Sequence, residues 1–308
     1  MIIMAEKRKN DTTAVQTKQQ SFTNARRRRM ENVISALKHD KLAMISIALL
    51  FLIILISLIA PLLPLKPNAT DVAHMLAGPS KTHWMGTDEL GRDYLARVIY
   101  GGRVSLLVGV LAMIASCCIG IFVGTVAGYV GGIVDAILMR IVDILSSIPW
   151  LILVTVVSLF LSRGIKSIIL VIGLFTWMGT ARLVRAETLT LKEREYVQYA
   201  KFNGVSVFSN IFRHIIPNAL PTIIIVATTS IADAIMTESA LSFLGLGIVP
   251  PDSSWGSLLQ RAQSYLATSI HMAILPGILI IITVFAFNKL GNLLRIYVEP
   301  RVSEGEKG

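Results

Sequence analysis

Four ionisable residues stand where an apolar sequence rarely tolerates them. Asp233 and Glu238 interrupt a stretch that is otherwise apolar from His214 to Val249, and Arg140 and Asp143 lie just before the apolar run Ile144 to Ser162. A charge at the centre of a bilayer costs about 2.5–3.5 kcal/mol on an insertion scale, so such residues tend to have a function. For Asp233 and Glu238 two readings are open. They line a polar pathway, or a gate that meets a substrate's amino terminus, or they pair structurally with a neighbouring helix or backbone. Arg140 and Asp143 are spaced i,i+3 and can pair on one helix face. They read as an intramembrane pair near a cytoplasmic gate rather than as a substrate site.

Residues that would make or break bonds are missing. The chain has no G-x-x-x-x-G-K-[ST], no H-E-x-x-H and no G-x-S-x-G. His39, His74, His83, His214 and His271 are scattered, with no pair at i,i+4. Cys117 and Cys118 are adjacent in an apolar run and supply neither a disulfide framework nor zinc-ligand spacing. No catalytic residue, cofactor site or metal site is assigned. If the chain moves a solute uphill, a partner or an ion gradient supplies the energy.

The elements that position these residues are membrane helices. Of 308 residues, 54% are hydrophobic and 16% charged, with a mean hydropathy of +0.67. A soluble domain carries about 25% charged residues, so a soluble fold and a disordered chain are both excluded. The net charge of +10 does not indicate nucleic acid. Its basic residues sit in patches between long apolar runs, as the positive-inside rule describes.

A crossing helix needs about 20 apolar residues. Charge-free runs occur at 42–65, 104–134, 144–162, 167–181, 214–232 and 262–288. Six transmembrane helices are expected, near 42–64, 104–129, 135–161, 167–185, 219–246 and 272–294. The third carries Arg140 and Asp143, but the 12 Leu, Ile, Val or Phe in 144–162 contribute roughly −4 to −7 kcal/mol and outweigh them. Pro149 is expected to kink it. Gly120, Gly124 and Gly128, at i,i+4, permit close helix packing.

Twenty Lys and Arg fall in 1–41, in 182–217 and from Lys289 onward, against seven in 65–102, 162–166 and 248–271. Both termini and the loop 182–217 are therefore expected to be cytoplasmic in a multi-pass protein of the cell membrane. Arg26–Arg29 followed by 24 charge-free residues reads as a retained signal anchor, because that run is too long for a signal peptide's apolar core. The expected organisation is a cytoplasmic tail, 1–41; a first helix, 42–65; an extracytoplasmic loop, 66–103; a core, 104–295; and a cytoplasmic tail, 296–308. Within the loop 66–103, Gly86 to Asp93 is expected to form a salt-bridged turn.

The loop 182–217 has 36 residues where connections are usually about 4–6. It reads as two short helices. Tyr196, Tyr199 and Ala200 share one face of the first, and Gly204 ends it. Ser206 caps the second, whose apolar stripe is Phe208, Ile211, Phe212 and Ile215. Spacing alone leaves open an interfacial hairpin on lipid headgroups and a docking helix for a cytoplasmic partner.

Three stretches resemble a known family. Glu195-Tyr-Val-Gln-Tyr-Ala-Lys-Phe-Asn-Gly204, continuing to Arg213-His-Ile-Ile-Pro-Asn218, is similar to the Glu-Ala-Ala loop of ABC importer permeases. Gln198, Tyr199 and Ala200 occupy the Glu-Ala-Ala positions, Gly204 matches the glycine, and Ile216-Pro217 matches the Leu-Pro. Gln198, Tyr199 and His214 depart from the usual residues. His83–Asp93 with Tyr100–Ser105, and Glu238–Gly247 with Pro250-Pro251 and Ser254-Trp-Gly256, resemble the peptide/nickel branch. The chain looks like a C-type permease of oligopeptide or dipeptide importers over residues 36–300.

That resemblance implies an all-α permease of MetI-like fold with an extra N-terminal helix. It implies a homologous B-type permease, two cytoplasmic ATPase subunits holding ATP and magnesium, an extracytoplasmic binding protein, and import by alternating access. The residues Glu195, Tyr196, Val197, Gln198, Tyr199, Ala200, Lys201, Gly204 and Pro217 would couple to an ATPase. Peptides are the first substrate expected and nickel chelates the second. An ion-coupled secondary transporter is a further alternative, and six helices without an inverted repeat argue against it.

Overall fold

The computed structural model describes residues 30–298 apart from 31, 32, 36 and 39. Arg26–Arg29, most of the amino-terminal tail and the segment from 299 onward lie outside the described residues. Among the described residues five helices are long and apolar enough to cross a bilayer, and a bent pair adds a sixth crossing if it counts as one.

Helix α1 (Lys41–Ile59) starts where the Asp40 carboxylate accepts the Ala43 N–H at 2.9 Å. It ends at the turn Ala60–Leu62, which contains Pro61. It packs on the last helix and the second helix, with only 22% of its apolar window buried, so most of its surface is free to meet lipid or another subunit.

Helix α2 (Tyr94–Val130) is the central element. Its 37 residues span about 55 Å, well beyond a hydrocarbon core of about 30 Å. It begins at Tyr94, ahead of the expected 104, because neither Arg103, exposed on the helix surface, nor Arg97 ends it. Arg97 is 0% exposed, its Nε lies 3.4 Å from Asp88 Oδ2, and its Nη1 donates to Asn68 Oδ1 at 3.1 Å. The loop before α2 neutralises the cation, so the helix can start beneath it.

The expected third span is two helices, α3 (Gly132–Ser147) and α4 (Trp150–Phe160), bent by 85°. The cause is local. Pro149 forces Ile148 out of the helical region, and Ile148 is extended with ψ 128°. Pro149 thus breaks the element instead of kinking it. The expected Arg140–Asp143 pair is not formed. Asp143 instead accepts from Arg182 Nη2 at 3.0 Å on the helix that follows α4, and Arg140 is exposed with no ion pair among the described residues. A packed neighbour offers the carboxylate a better-directed guanidinium than its own helix does.

Helix α5 (Ile165–Lys192) lies along α2, and Gly120, Gly124 and Gly128 form the seam. A methyl at Gly124 would stand 2.5 Å from the Ala181 carbonyl, so the close approach requires glycine there. Arg185 of α5 grips Asp135 of α3 through two bonds, 2.5 and 2.6 Å. α5 runs to Lys192, not 185, so the connection read as 182–217 is shorter than it looks in sequence.

Two short helices follow, α6 (Glu195–Phe202) and α7 (Val207–Asn210). A π turn at Ile211–Ile215 leads into α8 (Ile216–Phe243). α9 (Trp255–Ala262) and α10 (His271–Val298) complete the described residues. α8 packs against α2, α5 and α10, and α9 sits on α2, α8 and α10 at the end of the molecule opposite α6. Around Gly86–Asp93 the expected turn is present. Arg92 Nε donates to Asp88 Oδ2 at 2.6 Å, and Arg92 Nη2 and Arg261 Nη1 both donate to Glu89 Oε1.

Candidate functional site

The site begins with a turn. α6 ends at Phe202, Asn203 caps it, and Gly204 follows with φ +77°. The Gly204 N–H donates to the Lys201 carbonyl at 3.1 Å and the Val205 N–H to the Ala200 carbonyl at 3.1 Å, which together close a Schellman motif. Left-handed backbone costs a residue with a Cβ about 1–2 kcal/mol, and glycine avoids it. Ser206 then caps α7, its Oγ accepting the Ser209 N–H at 3.3 Å. At the other end Gln198 Nε2 donates to the Lys192 carbonyl at 2.8 Å and ties α6 back to α5. Glu195 in the first turn and Lys201 in the last suit the helix dipole.

One side of α6 is an anchor. Val197 packs in a cluster with Leu191 of α5, Ile215 of the π turn and Ala219 of α8. Ala200 is buried beside it. The face expected from sequence was Tyr196, Tyr199 and Ala200, and the structure divides it. Tyr199 is 72% exposed and Phe202 is 90% exposed, while Tyr196 is partly covered with its ring 6.2 Å from that of His214. Three residues of α6 are aromatic and all are exposed, so its apolar stripe marks exposed rings as well as the anchored Ala200. The stripe Phe208, Ile211, Phe212, Ile215 splits likewise. Ile211 and Ile215 are buried, and Phe208 and Phe212 stack at 4.5 Å on the surface.

The π turn has a chemical cause. Pro217 has no N–H, and the Ile216 N–H reaches back to the Ile211 carbonyl. The irregular turn thus joins the anchored helix α6 to α8 at Pro217. Glu195, Gln198, Tyr199, Lys201 and Phe202 line one open hollow on the outer side of α6. Tyr199, Phe202 and Phe208 thus form an exposed aromatic ridge on short helices fixed to two long ones. Surface of this kind is what partner interfaces use, since aromatic residues are enriched at their energetic centres.

The membrane carboxylates separate. Asp233 is exposed on α8 and makes no hydrogen bond or ion pair among the described residues. Glu238, one turn further, is 0% exposed, with Ser105 Oγ and Ser242 Oγ donating to its two oxygens at 3.1 and 2.7 Å. It therefore faces no open pathway in this conformation. Sequence reading gave Ser105 and Trp255 no part in this site. Ser105 is the partner of Glu238, and Trp255 bonds to Ser105. A serine one helix away leaves no periodic signal.

Comparison with known proteins is consistent across three kinds of match. The family model described as "Binding-protein-dependent transport system inner membrane component" matches residues 120–304. A second, "N-terminal TM domain of oligopeptide transport permease C", matches residues 29–79. The chain is 37% identical to a dipeptide transport system permease protein of Bacillus subtilis over 86% of this chain and 84% of that protein. It is 41% identical to an oligopeptide transport system permease protein of Haemophilus influenzae over 75% of each. A glutathione transport system permease protein of Pectobacterium atrosepticum is 37% identical, over 76% of this chain and 78% of that one. Among solved structures, an inward-facing MetNI methionine ABC transporter chain aligns with TM-score 0.53 at 18% identity, covering 66% of this chain and 97% of that one. That likeness establishes the fold.

Proposed function

The chain belongs to the family of binding-protein-dependent transport system inner membrane components, and from that premise we propose that it passes peptides inward across the cell membrane. It is a multi-pass permease subunit of an ABC importer and not itself an enzyme. Such a permease works with ATPase and permease partners. In the reading proposed here these are a homologous B-type permease, two cytoplasmic ATPases that hold ATP and magnesium, and an extracytoplasmic binding protein. The Lys and Arg asymmetry supports placing both termini and α6 in the cytoplasm. The relatives named for dipeptides, oligopeptides and glutathione support the peptide substrate over nickel chelates.

The single observation that carries the coupling role is the geometry of α6. Its inner residues Val197 and Ala200 are buried against α5 and α8, and its outer residues Tyr199 and Phe202 are bare. An ATPase that grips the outer face moves the inner face with it. The movement then enters the membrane at Leu191, at the end of α5, and at Pro217, at the start of α8. In this scheme Glu195, Tyr196, Gln198, Tyr199, Lys201 and Phe202 meet the ATPase, Val197 and Ala200 transmit, and Gly204 sets the exit. Asp233, exposed and unpartnered on α8, is the candidate pathway residue for a substrate's cationic amino terminus, and the Asp143–Arg182 pair with Arg140 is the candidate cytoplasmic gate.

Gly204→Pro tests the coupling assignment. Proline fixes φ near −65°, where the observed value is +77°, and it deletes the N–H donated to Lys201. The expected result is normal membrane insertion, recovery of ATPase subunits with the permease reduced about tenfold, and a parallel loss of labelled-peptide uptake. Normal uptake by a verified assembly containing this variant contradicts the assignment. Uptake of labelled peptides against labelled nickel by the unmodified complex tests the substrate.

A further inference from the structure

The Glu238 carboxylate has two serine partners, and through them its hydrogen-bond network joins three elements, α2, α8 and α9. Its Oε2 accepts from Ser105 of α2 and its Oε1 from Ser242 of α8. Ser105 Oγ in turn accepts the Trp255 N–H at 3.2 Å, at the first residue of α9. Ser242 Oγ accepts the Ile248 N–H at 3.2 Å and lies 3.5 Å from Ser254 Oγ, the N-cap of α9. The α9 start is held from outside this knot as well. The Trp255 indole N–H donates to the Val98 carbonyl at 3.0 Å, and a methyl at Gly256 would meet the Ser239 backbone at 2.6 Å.

The hydroxyls can serve α9 only because Glu238 takes their protons. Ser105 donates to the carboxylate and so turns a lone pair toward the Trp255 N–H. Ser242 does the same for Ile248. Removing the acceptor leaves buried hydroxyls free to reorient and α9 less firmly fixed, because an unsatisfied buried polar group is costly. The position of Glu238 on α8 gives this knot its reach. α8 starts at the cluster that buries Val197 of the docking helix and ends at the knot, about 42 Å away for its 28 residues.

We infer that Glu238 is a positioning residue that latches α9 to α8 and α2, so that the segment 248–262 moves as one body with α8 when the docking helix α6 is displaced. α8 is then the rod between the ATPase face and the opposite membrane face, and the serine–carboxylate knot is its far joint. This inference rests on the importer reading above, and its test separates the two. The complete complex is reconstituted in proteoliposomes with its binding protein, and ATP hydrolysis and peptide uptake are measured together. Spin labels at Gln260 of α9 and Leu244 beyond α8 report the α9–α8 distance with and without trapped nucleotide.

In the unmodified complex the distance is the same in both states. Glu238→Gln and Ser105→Ala are each expected to reduce uptake about tenfold while hydrolysis stays within about twofold, with the distance distribution broadened. The double variant Glu238→Ala with Ser105→Ala loses no more than Glu238→Ala alone, because both act in one latch. Ser46→Ala removes a buried hydroxyl of α1 that bonds only to its own helix and leaves uptake unchanged. Normal uptake with Glu238→Gln, additive losses in the double variant, or an unchanged distance distribution overturns the latch. If Glu238→Ala fails to assemble, the Glu238→Gln and Ser105→Ala results decide. An unmodified complex that hydrolyses ATP but imports no peptide overturns the importer reading instead.

Discussion

The two ends of α8 are built on opposite principles. At the α6 end the surface is aromatic and open, with Tyr199 and Phe202 bare and only Val197 and Ala200 anchored. At the α9 end the chemistry is polar and closed, with Glu238, Ser105, Ser242 and Ser254 all buried. An exposed aromatic ridge gains free energy only when something covers it, so its residues matter in the assembled complex and not in the isolated subunit. A closed polar knot costs free energy wherever one member is removed, so its residues matter in both. Where a variant acts thus reveals which end is a contact and which is a joint.

The largest effect is expected at the closed end. Arg97→Ala leaves Asp88 buried without its second guanidinium and removes the bond to Asn68. Loss of one partner of a buried pair costs about 3–5 kcal/mol. Thermal unfolding of the purified permease should show it without any ATPase present. An unchanged transition temperature would remove the distinction drawn between the ends.

Phe202→Ala and Tyr199→Ala come next and sharpen the contrast from the open end. Each is expected to weaken ATPase association by about 2 kcal/mol, roughly thirtyfold, while the melting temperature of the permease alone stays fixed. A drop in that temperature would mean the ring is packed, against its observed exposure. Gly204→Ala should lie below these. No atom lies within 4 Å of a methyl there, so only the positive φ is penalised, at about 1–2 kcal/mol. Binding of ATPase subunits should fall less than with Gly204→Pro, and the reverse order would contradict the Schellman turn as the reason for glycine.

The smallest effect concerns pH in the loop before α2. The Asp71 carboxylate accepts from the His74 ring and the Ala73 N–H, which hold its pKa below the usual carboxylate range. A lowered folded-state pKa adds stability above the ordinary carboxylate range and loses it as pH falls through the lowered value. Asp71→Asn should therefore flatten slightly the acid limb of the melting temperature between pH 6 and about pH 3. A steeper limb in the variant would give the wrong sign.

Much of the loop 182–217 was legible because turns have local chemistry. Gly204 and Ser206 declare a helix end and a helix start on their own residues, and both hold. The long apolar helices α1 and α10 were legible from composition. What failed were boundaries and faces set by residues distant in sequence. Arg103 reads as the edge of the second helix, which in fact begins at Tyr94 with Arg97 held by Asp88, and Arg140 reads as the partner of Asp143 until Arg182 arrives from α5. Tyr196, Tyr199 and Ala200 read as one stripe of α6 until the cluster of Leu191, Val197, Ile215 and Ala219 sets the anchored side and leaves Tyr199 bare. Pro149 gave the position of the break but not the size of its bend, 85°. Glu238 was visible as a carboxylate in a membrane helix, while its partner Ser105, and Ser254 beside Ser242, come from other elements.

The most direct test of the central claim is site-specific photo-crosslinking in native membranes. A photoreactive amino acid is placed at Phe202 and, as the comparison, at Leu58 of α1, which is also exposed. The docking account predicts covalent capture of an ATPase subunit from position 202 and none from position 58. Capture of lipid alone from position 202, with the ATPase present in the same membranes, would make α6 an interfacial hairpin and contradict it.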